Sequence, residues 1–309
     1  APTLRDAAQG VSDAPFLLSA GDQVNTADNE SQYSAYLEHE ELRQLPVATV
    51  VGNHDSSSSS YDQHFNVANQ SAYGATNASS DYWFRYGNAL FLVLNVNNMS
   101  AAEHKAFLEE AIRQNPDAEW KIVAMHHSVY SVANHAVEGD ILQRREELVP
   151  IFEELDIDVV LQGHDHVYVR TYMMDGFNPV TDPAEYDNAE MTSVTDTDDI
   201  LYVTANSASG SKYYEIQNMA FPYAAVKNQE HVPTYSKVTV TGTEFTITTY
   251  RVSSGSVVDT FTIRRTAQEE PAEKDVPVAV QGAGVAGQDQ RVPYAVTFSG
   301  DQEGLANVT

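Results

Sequence analysis

The chain contains no cysteine. That excludes disulfides, thiolate metal sites and a thiol nucleophile. Any metal must then be held by His, Asp, Glu, Asn or main-chain oxygen. Basic residues are also scarce: 17 Lys+Arg stand against 44 Asp+Glu, for a formal net charge of −27. Such acidity argues against general nucleic-acid binding, because a duplex carries about one charge per 1.7 Å and selects basic faces. An anionic membrane surface is disfavoured for the same reason. Distant charge is screened over roughly 8 Å, so a small anionic substrate is still admissible. No run approaches the ~18 consecutive apolar residues of a membrane-spanning helix. The N-terminus shows no charged region followed by an apolar run, so no signal peptide is read there. Either a signal has been removed or the sequence starts internally. Zero Cys fits an extracellular or cell-wall-associated bacterial protein.

The 309 residues, 42% of them hydrophobic, can bury a large core as one big domain or two modest ones. Five short apolar runs, at residues 16–22, 47–51, 89–96, 120–125 and 157–161, are bounded by turn residues and read as buried strands. Helical patterns lie between them, at residues 101–114 and 141–155. In the first, Ala106, Phe107, Leu108, Ala111 and Ile112 form an apolar face. Alternating strands and helices predict an α/β sandwich with helices packed on the sheets. After residue 200 the texture turns to period-2 strands, at residues 201–205, 236–241, 244–252 and 257–264. The Asp-rich stretch 175–199 is expected to be a long surface loop, and the five serines 56–60 a flexible one. Residues 267–278 read as a Pro-containing linker. Residues 279–309 read as the start of an incomplete β-rich domain, with a strand near 294–298.

Four polar clusters follow strand-like runs directly: Gly21-Asp22, Gly52-Asn53-His54-Asp55, His126-His127 and Gly163-His164-Asp165-His166. In open α/β sheets ligands bind at the carboxyl ends of strands. Asp, Asn and His delivered there from four strand ends describe a metal site of hard and borderline ligands.

This order of motifs resembles the calcineurin-like metallophosphoesterases. Trp120-Lys121-Ile122-Val123, Tyr130 and Val167-Tyr168-Val169-Arg170 make it most similar to the purple-acid-phosphatase-like branch, over roughly residues 1–266. The resemblance implies a sandwich of two mixed β-sheets flanked by helices, and two divalent or trivalent metal ions (Fe, Zn or Mn). Asp22 would bridge them. Asn53, His126 and His164 would complete the second site, and His166 would bind the first. His54 would serve the leaving-group oxygen, Asp55 would orient His54, and His135 falls where such phosphatases carry a substrate-binding or acid histidine.

The implied reaction is hydrolysis of a small phosphate ester, most simply a monoester, by a metal-bound hydroxide. A phosphodiesterase or nucleotidase on the same site is the nearest rival. A non-catalytic surface module with a degenerate metal site is the distant one. Two positions depart from the family pattern. The family has a further Asp at the end of an earlier strand, and only 21 residues precede Asp22, so that strand and its Asp are expected to be missing. Purple acid phosphatases also carry a metal-binding tyrosine where this chain has Asn25, which is retained either as a weak metal ligand or as a group that supports the ligands.

Of the other histidines, His39, His104 and His231 read as surface or packing residues, while His64 and His127 could approach the site. Tyr82, Trp83, Phe84 and Tyr86 read as a core strand rather than a substrate-stacking platform, and Arg170 as a structural ion-pair residue or, less readily, a phosphate contact. Residues 206–211 read as a plain loop or a substrate rim.

Overall fold

The longest apolar runs become the strands at the centre of the molecule, because only they can be covered on both faces. The computed structural model describes residues 2–266 and, beyond them, only the backbone of Ala279–Gln281 and Ala295–Thr297. In chain order come helix α1 (Pro2–Gly10), strand β1 (Leu17–Ser19), helices α2 (Glu30–Leu37) and α3 (Glu40–Gln44), and strand β2 (Val47–Thr49). Helix α4 (Ser60–His64), strands β3 (Tyr82–Tyr86) and β4 (Ala89–Leu94), helix α5 (Ala101–Gln114), strand β5 (Trp120–Met125) and helix α6 (Gly139–Glu154) follow. The second half carries β6 (Val159–Gln162), β7 (Tyr168–Thr171), β8 (Met174–Asp175), β9 (Asn178–Pro179), β10 (Ser193–Thr195) and β11 (Leu201–Thr204). It then carries β12 (Ala224–Asn228), β13 (Thr234–Val240), β14 (Glu244–Arg251) and β15 (Val257–Arg264). A first compact unit ends at Thr266. In the second, β16 (Ala279–Gln281) and β17 (Ala295–Thr297) pair antiparallel. The expected linker 267–278 and the rest of 279–309 lie outside the described residues.

Two mixed sheets make the sandwich. The larger has the order β12-β7-β11-β6-β5-β4-β3, and the smaller β10-β15-β14-β13. Period-2 alternation divides each central strand between two cores. Leu90, Leu92, Leu94, Val123, Met125, Val160 and Tyr202 meet Phe107, Leu108, Leu148 and Phe152 of α5 and α6. On the opposite face Phe91, Trp120, Ile122, Val159, Leu201 and Val203 meet Phe245, Ile247, Phe261 and Ile263 of the smaller sheet. A polar tie crosses this second layer. Arg170 on β7 donates from Nε to Asp259 on β15 at 2.7 Å, and Tyr168 Oη donates to the same carboxylate at 2.8 Å. Arg170 is thus the structural ion-pair residue its sequence context suggests.

Strands β4, β5, β6 and β11 run parallel, so their C-terminal ends share one edge. The parallel pair β1 and β2 ends in loops of its own, at residues 20–25 and 50–55. The stretch 175–199 is less irregular than expected. It holds the hairpin β8–β9, a 3-10 turn at Pro183–Glu185, and β10, which joins the edge of the smaller sheet beside β15. Three residues with one inward apolar side chain, Val194, are too short to show a period in the sequence.

A buried polar network supports the loop after β2. Asp81 accepts from the ring of His104 on α5 (2.7 Å) and from Asn95 N (2.8 Å). Asn95 Oδ1 accepts from Asn97 Nδ2, which also donates to Val51 O at 3.0 Å. The second ring nitrogen of His104 faces Asn98 O at 2.9 Å, so both nitrogens face acceptors and the imidazolium satisfies both. Burial opposes that charge, but the Asp81 carboxylate outweighs it and holds His104 above its ordinary value. A raised folded value stabilises fully below the unfolded His value of ~6.5. The contribution is lost as pH rises through the folded value. His104→Ala should cost about 3–5 kcal/mol, as expected when a buried ion pair loses one partner. In urea melts it should also remove this alkaline loss of stability relative to wild type.

Candidate metal centre

The loops after β1, β2, β5 and β6 bring Asp22, Asn53, His126 and His164 together. His126 organises them. It is buried, and its Nδ1 donates to Ala20 O at 2.7 Å. That bond fixes the tautomer and leaves the Nε2 lone pair facing inward. Around Nε2 stand Asn53 Oδ1 at 3.1 Å, Asp22 Oδ2 at 3.2 Å and His164 Nδ1 at 3.2 Å. Three further lone-pair atoms thus point at a fourth. A proton can serve one such contact, whereas a cation serves all of them. Ligand atoms of Asp22, His126 and His164 lie within 4.8 Å of one another. This carboxylate, amide and imidazole donor set fits a borderline transition-metal ion.

Burial opposes charge on His126, but the Asp22 carboxylate outweighs it and holds the ring above its ordinary value, so a bound cation would take the place of a proton on Nε2. Burial raises Asp22, but His126 and the main-chain amide of His54 outweigh it and hold the carboxyl down at about 2. Burial, then the neighbouring His126, push His164 down to about 2. A carboxylate and a neutral imidazole are the forms that ligate metals.

The backbone is strained where it delivers these groups. Asp22 (φ 55°), His164 (φ 71°) and His166 (φ 45°) all adopt the left-handed region, each costing on the order of 1–3 kcal/mol. Glycine is required beside them. A Cβ on Gly21, at φ 103°, would meet His126 Nδ1 at 2.2 Å, and one on Gly52 would meet Asp22 Oδ1 at 2.1 Å.

The remaining expected site residues fall into two groups. His166 donates from Nδ1 to Lys212 O at 3.1 Å, the same tautomer-fixing pattern, and stands outside the tight cluster. Burial, first of all, holds it below its ordinary value. His135 lies with its ring centroid 4.3 Å from that of His164, and its Nδ1 bonds Glu138 at 2.8 Å. His54 is exposed, and its main-chain N–H donates to Asp22 Oδ1 at 3.0 Å.

Asp55 does not orient His54. Its buried carboxylate accepts from the main-chain N–H groups of Asp22 (2.8 Å), Gly52 (2.9 Å), Val24 (3.2 Å) and Gln23 (3.4 Å). It therefore clamps the loop after β1 to the loop after β2. Burial pushes it up to about 6, against the pull of those amides. The His54 ring is instead held by Asn25, whose main-chain O accepts from Nδ1 at 2.9 Å. The Asn25 side chain is exposed, donates to Thr26 Oγ1, and does not join the converging set.

Asp165 is a second clamp that sequence reasoning did not assign. It accepts from Ser131 Oγ, Ala133 N and His135 N, and so fixes the loop that carries His135. Its placement between two proposed ligands was a signal, read only as part of the motif. His127 is buried with its ring 4.6 Å from His164, and burial drives it well below its ordinary value. His64 points elsewhere: it bonds Glu30 and stacks on Tyr33. Asp55→Asn turns an amide group toward four N–H donors. It should weaken divalent-metal affinity by about 10–100-fold in calorimetric titration, the usual range for groups that orient ligands.

Known proteins match the chain in parts. A purple acid phosphatase of Arabidopsis thaliana, number 17, is 37% identical over 71 residues, 23% of this chain and 20% of its own length. An uncharacterized protein of Mycobacterium tuberculosis is 30% identical over 84 residues, 26% of this chain and 16% of its own. Among solved structures, the yellow lupin purple acid phosphatase PPD1 superposes with a TM-score of 0.65 at 19% identity, covering 85% of this chain and 49% of that one. GAP50, the anchor in the inner membrane complex of Plasmodium, superposes at 0.56 with 15% identity, covering 87% and 84%. The chain spans half or less of the length of the phosphatases it matches. The sequence profile of calcineurin-like phosphoesterases matches residues 2–168, more than half of the chain. With that match and the sandwich fold, the chain belongs to the calcineurin-like phosphoesterase family.

Proposed function

We propose that the chain hydrolyses phosphate esters in a metal-dependent reaction, with monoesters as the preferred class. The observation that carries this reading is the convergence of Asp22, Asn53 and His164 on the lone pair of His126. The fold alone does not decide it, since GAP50 shares the fold and is described as an anchor. A scaffold needs no set of mutually opposed lone pairs, and a metal centre does.

Asn53, His126, His164 and Asp22 would hold one metal ion, and Asp22 with His166 a second. Bound ions would neutralise phosphoryl charge and acidify a water from 15.7 towards about 7. The protein's own groups supply the rest. The Nδ1–H of His54 is committed to Asn25 O, so when the ring carries a proton on both nitrogens the one free to be given is on Nε2, on an exposed ring. As the bond from phosphorus to the ester oxygen breaks, that proton neutralises the departing alkoxide. His135, held by Glu138 and by the Asp165 clamp, stands beside the cluster where a phosphate oxygen would be received.

Purified protein supplied with zinc, manganese or iron should turn over p-nitrophenyl phosphate faster than bis-p-nitrophenyl phosphate. No turnover with any of these ions would overturn the proposal. His54→Ala should keep its metal content and lose about 10²–10⁴-fold in kcat, the usual range for a proton donor in catalysis.

A further inference from the structure

In a protein of net charge −27, a side-chain cation beside the metal centre would add to the attraction of a phosphate dianion. Most of its cations are committed. Among the described residues, only Arg43, Arg145, Lys212 and Lys227 lack a carboxylate within ion-pair distance. Arg145 is engaged otherwise: its guanidinium bonds Val129 O and Ala136 O and covers the rings of Tyr130 and Tyr223. Lys212 is tied to the candidate metal centre. Its main-chain O receives His166 Nδ1, and its Nζ lies 4.6 Å from the centroid of Tyr214. That same ring lies 5.0 Å from His166 and 5.2 Å from His135. The ammonium group is therefore one aromatic ring away from two histidines of the site.

We propose that Lys212, steered by the face of Tyr214, is a phosphate-binding residue that favours dianionic monoesters over monoanionic diesters. The inference rests on the proposed phosphoesterase reading and names a residue for its specificity. The physical ground is simple. A fixed positive charge attracts a dianion about twice as strongly as a monoanion at the same distance. The ring offers the ammonium a cation–π resting place without the neutralising carboxylate that occupies most other cations. An aromatic face also leaves the ammonium protons free to donate to phosphate oxygen. The link between Lys212 and His166 is made by a main-chain oxygen, so replacing the side chain leaves that histidine held as before.

The test compares wild type with Lys212→Gln, Lys212→Arg and Lys212→Glu, all loaded with the same metal. Metal content and thermal midpoint are checked first. Inorganic phosphate binding is measured by calorimetry, and kcat and KM are measured for p-nitrophenyl phosphate and its bis ester. Lys212→Gln should weaken phosphate binding and raise the monoester KM about tenfold, the size of one charged hydrogen bond. The effect on the diester should be smaller, and the effect on kcat smaller than that on KM. Lys212→Arg should restore most of the loss, and Lys212→Glu should deepen it. Equal phosphate affinity in wild type and Lys212→Gln, or equal losses for both esters, would overturn the role of Lys212 while leaving the phosphoesterase reading intact. A wild-type protein that neither binds phosphate nor hydrolyses either ester would overturn both.

Discussion

The structure turns on one hydrogen bond. His126 Nδ1 donates to the main-chain oxygen of Ala20, and this leaves Nε2 as a lone pair inside a ring of other lone pairs. Reversing that tautomer would turn Nε2 into a donor and supply the cluster with a proton instead of a ligand. The bond also joins the loop after β5 to the loop after β1, so it sets geometry and protonation together. Gly21 has to be glycine for the same reason, since any Cβ there would strike the bonded nitrogen.

Two buried aspartates make the surrounding loops rigid enough to hold such an arrangement. Asp55 gathers four main-chain N–H groups from the loops after β1 and β2. Asp165 gathers two main-chain N–H groups and a hydroxyl from the loop after β5. The Asp81–His104 network braces the loop after β2 from the helix side, through Asn95 and Asn97. The left-handed backbone at Asp22, His164 and His166 is costly, and these clamps together with the packed central strands offset the strain. The two sheets are locked together by Arg170 and Asp259.

Much of this was legible in the sequence, for a physical reason. Strands buried on both faces must be continuous apolar runs, so β4, β5 and β6 announce themselves. Polar clusters at their ends then have few structural explanations. Asp22, Asn53, His126 and His164 could be named because it is their side chains that converge. What stayed hidden runs through main-chain atoms or very short elements. The group that holds the His54 ring is the carbonyl of Asn25, an atom every residue type carries. Asp55 was assigned to its neighbour His54, but adjacent residues in a tight turn face different ways, and its carboxylate points into the loops. β10 is set by one inward valine, too little to reveal a period. His104 was read as a packing or surface residue, because its partner Asp81 is 23 positions away and nothing local marks the pair.

A preorganised metal centre in these strand-end loops, around His126 Nε2, is open to one decisive test. The most direct measurement is a crystal structure of the protein soaked in manganese or zinc, with anomalous difference maps collected at the metal edge. The peak should be bonded to Asp22, Asn53, His126 and His164, with His126 Nδ1 still on Ala20 O. An empty centre at saturating metal, or a peak held by other residues, would contradict it.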